Sequence, residues 1–192
     1  DGSTEVAESG TTDTFTVVLD AEPTSDVVLT ITSDDTGEAA VNGPLTFTSA
    51  NWDTPQTVTV TGVDDDIIDG TITSTLTVAV DDANSNDSFD DLDNQTVSAT
   101  TTDDDVPGFT IAESDGSTEV AESGTTDTFT VVLDAEPASD VVLTITSDDT
   151  GEAAVNGPLT FTSANWDTPQ TVTVTGVDDD IIDGTITSTL TV

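Results

Sequence analysis

Two runs of carboxylates are the residues of this sequence with the clearest chemical potential. Asp64–Asp66 is followed closely by Asp69, and Asp103–Asp105 comes directly after a predicted strand. Adjacent carboxylates in a turn repel one another unless a cation lies between them, and Ca²⁺ accepts about six to eight oxygen ligands at about 2.3–2.6 Å. Mg²⁺ demands stricter geometry, and Zn²⁺ normally uses His or Cys. These runs therefore predict Ca²⁺ binding, although any single acid here could equally be a solvated surface charge.

The composition narrows the possible functions further. The 192 residues include 40 Asp and Glu but no Lys, Arg or His, so the formal net charge is -40. Nucleic-acid binding requires cationic side chains, and membrane contact requires basic or long apolar stretches, so we expect neither partner. Cys, Met and Tyr are also absent. Since only Ser, Thr, Asp and Glu remain for catalysis, we do not expect an enzyme.

Hydrophobic residues make up only 33% of the chain. Low hydrophobicity combined with high net charge is typical of disorder, because self-repulsion opposes a compact state. The sequence supplies neither a cationic side chain nor a cysteine for a disulfide. We therefore expect bound metal ions to support folding.

An internal repeat organises the chain. Residues 1–78 recur as residues 115–192, and the one difference is Thr24, which becomes Ala138. The period of 114 residues matches one domain and is too long for a solenoid unit. Because Asp1 begins inside the pattern, we expect the chain to be a slice of a longer tandem array.

Alternation of apolar and polar residues predicts short, half-buried strands. Asp, Asn, Gly and Pro clusters such as Asn42–Pro44 separate them and favour turns. The predicted strands are Phe15–Leu19, Val27–Ile31, Leu45–Phe47, Val58–Val60, Ile72–Val80, Val97–Thr101 and Phe109–Ile111. Seven short strands in about 110 residues predict an all-β fold, an immunoglobulin-like antiparallel β-sandwich.

The acidic triplet Asp103–Asp105 is followed by the short connection 106–108 and then by the predicted strand that begins at Phe109. This order places the domain boundary near residue 105. We therefore predict two tandem domains end to end. Residues 1–105 form a repeat without its first strand, and residues 106–192 form a near-identical repeat without its last strand. We expect the chain to be monomeric.

Four segments together resemble the Calx-beta family. They are Val6–Gly10, the stretch from Leu45–Phe47 to Asn51 and Trp52, Val63–Asp66 and Asp103–Asp105. The resemblance covers the whole repeat and implies an immunoglobulin-like, calcium-binding sandwich. Calx-beta domains occur in sodium/calcium exchangers, and similar units form long arrays in giant calcium-dependent adhesins of bacterial surfaces, often of the RTX type. The near-identical, lysine-free repeats are more similar to the adhesin arrays.

The resemblance also implies a set of calcium ligands. In the first repeat Asp34 or Asp35 takes the mid-domain position, and the remaining ligands are Glu8, Asp64, Asp65, Asp66, Asp69, Asp103, Asp104 and Asp105. The second repeat supplies Glu122, Asp148 or Asp149, Asp178, Asp179, Asp180 and Asp183. We expect the first repeat to have the fuller site, because the second is not followed by a terminal triplet.

Three other features have less specific interpretations. Asp82–Ser88 imitates the start of an EF-hand loop but lacks its Gly and Glu, so we interpret it as a solvated acidic loop, with an auxiliary calcium site as the alternative. Trp52 and Trp166 are expected to pack over the sandwich core, and a sugar-stacking platform is the alternative. Paired carboxylates could serve a glycosidase, but here they gather in turns.

The function predicted from the sequence is structural. We expect a calcium-rigidified spacer, or extender, that projects the distal binding domains of a secreted bacterial surface adhesin. Its partners are Ca²⁺ and neighbouring identical repeats. The alternatives are a calcium-sensing regulatory pair and an adhesive module that itself binds a glycan or protein.

Overall fold

The structure is a computed structural model that describes residues 3–182 and 184–192. It contains two compact units. The first comprises Asp1–Asp65 and Asp69–Asp104, and the second comprises Asp66–Ile68 and Asp105–Val192. Among the described residues, no helix is long and apolar enough to cross a membrane.

The first unit contains eight strands in its described residues. They are β1 Thr4–Ala7, β2 Thr12–Val17, β3 Val27–Ser33, β4 Ala39–Val41, β5 Leu45–Phe47, β6 Gln56–Gly62, β7 Ile72–Val80 and β8 Gln95–Thr102. One sheet has the order β1-β8-β7-β3-β5, and the other has the order β2-β6-β4. All pairs are antiparallel except β1 and β8, which run parallel with Thr4 opposite Ala99.

Alternating side chains from both sheets form the core of the first unit. Along β6, Val58 and Val60 are fully buried, while the Thr residues between them are partly exposed. Val58 packs with Phe47 of the opposite sheet, and Phe15 of β2 packs against the same cluster. Two sheets that share one apolar core confirm the predicted all-β sandwich.

The second unit repeats most of this arrangement. Its described strands are β9 Phe109–Glu113, β10 Thr126–Leu133, β11 Val141–Leu143, β12 Thr146–Ser147, β13 Ala153–Val155, β14 Leu159–Phe161, β15 Gln170–Gly176 and β16 Leu190–Thr191. A four-stranded sheet has the order β13-β15-β10-β9, and two small sheets pair β11 with β14 and β12 with β16. Its core centres on Phe129, Phe161, Val131, Val172 and Val174.

The strand predictions are confirmed for Leu45–Phe47 and Ile72–Val80, whose bounds match the structure. The strand predicted at Phe15–Leu19 lies earlier, at Thr12–Val17, because its pairing with β6 ends at Val17. Two short strands, β1 and β4, were not predicted. Each is stabilised by pairing with a longer strand, β8 for β1 and β6 for β4, and the local sequence does not show this pairing.

Candidate metal centre

Glu8 follows β1 directly and lies in a tight turn. The Gly10 N–H donates to the Ala7 carbonyl (3.1 Å), and Gly10 has a φ of 81°, which glycine adopts readily. The Glu8 N–H donates to the carbonyl of Thr102 at the end of β8 (3.1 Å). These bonds hold Glu8 beside the end of the last strand of the first unit.

The Glu8 side chain is fully buried, at 0% exposure. Neither of its carboxylate oxygens has a hydrogen-bond partner of acceptable geometry. Leaving a buried carboxylate unpaired is costly, because the charge loses its hydration and gains nothing in return. This side chain therefore needs either a proton or a cation.

Glu38 directly precedes β4, and one of its carboxylate oxygens lies within 4.8 Å of a Glu8 carboxylate oxygen. Its carbonyl accepts hydrogen bonds from the Val63 N–H (2.9 Å) and the Thr101 hydroxyl (3.2 Å), which fixes its backbone. The side chain is 5% exposed, and one of its carboxylate oxygens is buried without a hydrogen-bond partner. Glu38 was not predicted as a ligand, because it stands alone between Gly37 and Ala39 and belongs to no acidic run.

Asp103 fastens the turn that carries Asp69. Its Oδ2 accepts hydrogen bonds from the N–H groups of Asp69 (3.1 Å) and Gly70 (2.7 Å). Gly70 has a φ of 78°, so glycine is the residue this turn favours. The predicted acidic turn and terminal triplet thus meet through these two bonds.

Three carboxylates converge in the first unit. Glu8, Glu38 and Asp69 each place one oxygen so that the three atoms lie within 4.8 Å of one another. We call these three residues the carboxylate cluster. One oxygen of Asp103 also lies within 4.8 Å of a Glu8 oxygen.

The electrostatics of the carboxylate cluster disfavour its charged form. Burial raises the pKa of Glu8 from 4.5 to about 7, with further contributions from the charges of Asp103, Glu38 and Asp65. The nearby Asp104 N–H acts in the opposite direction, although its geometry falls short of a hydrogen bond. Burial likewise raises the pKa of Glu38, followed by the charges of Asp69, Asp65, Asp35 and Asp103. The side chain of Asp69 is exposed, unlike those of Glu8 and Glu38, and its pKa is raised first by partial desolvation and then by the charges of Asp65 and Asp103. The cluster lacks a positive charge.

The other proposed ligands of the first repeat occupy different positions. Asp34 is engaged elsewhere, because its Oδ1 accepts the Thr75 N–H (2.7 Å). Asp35 accepts the Gly37 N–H (3.1 Å), and its charge acts on Glu38 and Asp69. The charge of Asp65 acts on all three residues of the cluster. The structure leaves Asp64, Asp66 and Asp104 exposed, and Asp66 and Asp105 are grouped with the second unit.

The second unit has the same residue types but a looser arrangement. Glu122 and Glu152, the counterparts of Glu8 and Glu38, are only half-buried. Asp148 accepts the Thr189 N–H (2.6 Å), and Asp149 accepts the Gly151 N–H (3.0 Å). Among the described residues, no three acids of this unit lie within 4.8 Å of one another.

Three further proposed ligands of the second repeat, Asp178, Asp179 and Asp180, follow the end of β15. Asp179 accepts the N–H of Ile181 (2.7 Å), while Asp178 and Asp180 are exposed. Asp183 lies outside the described residues.

The loop that resembles an EF-hand packs against β3. It begins with a 3-10 helix at Asp82–Asn84. The Asn86 amide donates to the hydroxyls of Thr24 (2.8 Å) and Ser25 (3.0 Å), and Ser85 accepts the Val28 N–H (2.9 Å). These bonds give the loop a structural role.

No known protein family pattern matches the chain. No curated protein matches it either. Among solved structures, the chain is similar to CBD12 from CALX1.2, with 16% identity, a TM-score of 0.36, and coverage of 93% of this chain and 74% of that one. The calcium binding domain CBD12 of CALX1.1 gives 16% identity, a TM-score of 0.35 and the same coverage. A protein of unknown function from Porphyromonas gingivalis W83 gives 7% identity, a TM-score of 0.32, and coverage of 89% and 77%.

Proposed function

We propose that the first unit binds Ca²⁺ at the carboxylate cluster. The observation that carries this proposal is Glu8, whose carboxylate is fully buried without a hydrogen-bond partner beside two other carboxylates. With no Lys, Arg or His in the sequence, the countercharge must come from outside the polypeptide. A metal ion provides that charge and bonds to the unpartnered oxygens.

The chemistry of the donor atoms favours calcium over magnesium. The three oxygens lie within 4.8 Å of one another. Ca²⁺ accepts about six to eight oxygen ligands in flexible geometry, whereas Mg²⁺ demands near-ideal octahedral geometry and usually keeps several of its waters. An all-carboxylate donor set also suits a hard cation. Asp103 and Asp65 add negative charge at the cluster.

Calorimetric titration of the full chain with Ca²⁺ tests this proposal. We expect one site to be lost in the Glu8→Gln variant and retained in the Glu122→Gln variant. The two variants remove the same charge from equivalent positions of the repeat, one fully buried and one half-buried. Equal affinity in wild type and Glu8→Gln would contradict the proposal, and Mg²⁺ titration measures selectivity.

We infer that the wider role of the chain is that of a calcium-stiffened spacer in a secreted bacterial surface adhesin of RTX type. Two features support this role: the nearly unchanged repeat and a net charge of -40 without any cationic side chain. Tandem copies extend length without adding a new binding surface, and calcium reduces the repulsion between acidic segments. Small-angle scattering tests the role. The distribution of interatomic distances should become broader after chelation, because the chain samples more conformations. An unchanged scattering profile would refute stiffening by calcium.

A further inference from the structure

Two asparagines of the first unit begin an acceptor motif for N-linked glycosylation, in which Ser or Thr stands two residues after Asn and the residue between them is not Pro. The motifs are Asn86–Ser88 and Asn94–Thr96. None of the other five asparagines of the sequence is followed by Ser or Thr at that position. An attached sugar is bulky and hydrophilic, so a motif is usable only where the asparagine amide reaches solvent. The structure therefore decides which of the two motifs can react.

The fold closes the motif at Asn86, which is 7% exposed. Its Nδ2 donates hydrogen bonds to the hydroxyls of Thr24 (2.8 Å) and Ser25 (3.0 Å), and its Oδ1 accepts the N–H of Ser88 (3.0 Å). Nδ2 is the atom that would bond to a sugar. This amide is shielded from solvent, and its hydrogen bonds must break before it can react.

The fold leaves the motif at Asn94 open. Residues 91–96 are all exposed, and Asn94 lies in irregular chain directly before β8. The neighbouring Gln95 side chain donates to the Asp93 carbonyl (3.2 Å), whereas the Asn94 carboxamide has no hydrogen-bond partner among the described residues. Its Nδ2 is therefore free to react with a sugar donor.

Thr96 completes this motif from an exposed position in β8. Val97 and Ala99 pack in the core of the first unit. Because side chains alternate between the two faces of a strand, Thr96 and Ser98 lie on the outward face of β8, and both are exposed. The Asn94 amide and the Thr96 hydroxyl are thus accessible together, so an enzyme can bind the whole motif.

The open motif is remote from the carboxylate cluster. Asn94 precedes the first residue of β8, and Asp103, which lies beside Glu8, follows its last residue. The eight residues of this strand span about 26 Å at about 3.3 Å per residue. A sugar at Asn94 should therefore leave the carboxylate cluster accessible to a cation.

We propose that Asn94 is an acceptor for an N-linked hexose and that Asn86 is not. The donor is a nucleoside diphosphate hexose, which a separate glycosyltransferase binds. Nδ2 of Asn94 attacks the anomeric carbon of the sugar, so that a C–N bond forms and the C–O bond to the phosphate breaks. One Nδ2 proton passes to a base of the transferase, and the nucleoside diphosphate leaves. This proposal is independent of metal binding.

A soluble N-glycosyltransferase acting on the folded full chain, with UDP-glucose as the donor, provides the test. Thr96→Ala and Ser88→Ala are matched variants, because each removes the hydroxyl of one motif from an exposed position and keeps both asparagines. We expect the wild type and Ser88→Ala to gain the mass of one hexose and Thr96→Ala to gain none. Fragment mass spectrometry should assign the hexose to Asn94.

A synthetic peptide of residues 82–90 separates the effect of the fold from that of the sequence. Asn86 should accept hexose at least about tenfold faster in this peptide than in the folded chain, because the peptide has no bonds to Thr24 and Ser25 to break. An unmodified wild-type chain, transfer that persists in Thr96→Ala, or equal rates at Asn86 in the peptide and the folded chain would each overturn the proposal. Circular dichroism of both variants should match that of the wild type.

Discussion

Replacing Glu8 by Gln should change stability in opposite directions with and without calcium. The substitution keeps the size of the side chain and removes its charge. In chelator the wild-type carboxylate is buried beside like charges, and its pKa is raised from 4.5 to about 7. Gln has no such charge to bury.

The magnitude follows from the linkage between pKa and folding. A carboxylate whose pKa is higher in the folded state than in the unfolded state favours folding when the pH is below its unfolded-state pKa. This contribution is lost as the pH rises through its folded-state pKa. For Glu8 the window runs from 4.5 to about 7. At about 1.36 kcal/mol per unit, the stability of wild type relative to Glu8→Gln should fall by at most about 3 kcal/mol between pH 4.5 and pH 8.

Calcium should reverse the effect at pH 8. A ligand that binds the folded state alone stabilises it by about 2.7 kcal/mol at a hundredfold excess over its dissociation constant. Glu8→Gln removes a buried ligand atom and should lose most of this gain. At pH 8 with calcium, the variant should therefore be less stable than the wild type. In chelator, the stability of the variant should fall less than that of the wild type between pH 4.5 and pH 8.

Urea denaturation in a Trp166→Phe background measures the first unit, because Trp52 is then the only tryptophan. Urea is preferable to guanidinium chloride, whose ions screen the charges under study. Glu122→Gln is the matched control. It removes the same charge from a half-buried position in the second unit, so the Trp52 transition should not move.

Two results would refute this reasoning. One is a stability difference between wild type and Glu8→Gln that stays constant from pH 4.5 to pH 8 in chelator. The other is an equal response of Trp52 to Glu122→Gln, which would indicate a general effect of net charge and not a local one.

Three further predictions concern the surroundings of the cluster. Asp65→Asn should weaken calcium binding in titration calorimetry more than Asp64→Asn, because only the charge of Asp65 acts on the cluster; equal losses would contradict a local site. Asp103→Ala should lower the free energy of unfolding in chelator by about 1–2 kcal/mol, since two backbone N–H groups lose their acceptor; unchanged urea curves would argue against that role. Gly62→Ala should cost about 1–3 kcal/mol by the same measurement, because a Cβ there would collide with the Ala7 carbonyl oxygen, and a neutral effect would show that β1 shifts freely.

The sequence predicted the long strands well because their alternation is a local property. Ile72–Val80 alternates Thr or Ser with apolar residues over nine positions, and its bounds match the structure. Leu19 was placed in a strand from its apolar character alone, yet β2 ends at Val17. In the second unit the equivalent Leu133 is in a strand, because it pairs with Phe109 of β9. Strand ends therefore depend on partners that local patterning does not reveal.

The candidate site was partly predictable for a similar reason. Runs of acids identified the Asp69 turn and Asp103, whose hydrogen bonds join them in the structure. Glu38 stands alone in sequence and enters the cluster only through the packing of β4 against β6. The choice between Asp34 and Asp35 was open from sequence, because it depends on which carboxylate the N–H of Thr75 engages.

The parallel pairing of β1 with β8 has a consequence for the order of folding. It places Thr4 opposite Ala99, so the first and last strands of the unit meet only after almost the whole repeat is available. Contacts between residues so distant in sequence slow folding, because the entropy of closing a long loop is lost before the contact forms. Glu8 and Asp103 come together in the same closing step, since each lies directly beyond one of these strands. During synthesis, Glu8 and Asp103 would therefore come together last, so that an ion would bind there only after the domain had folded.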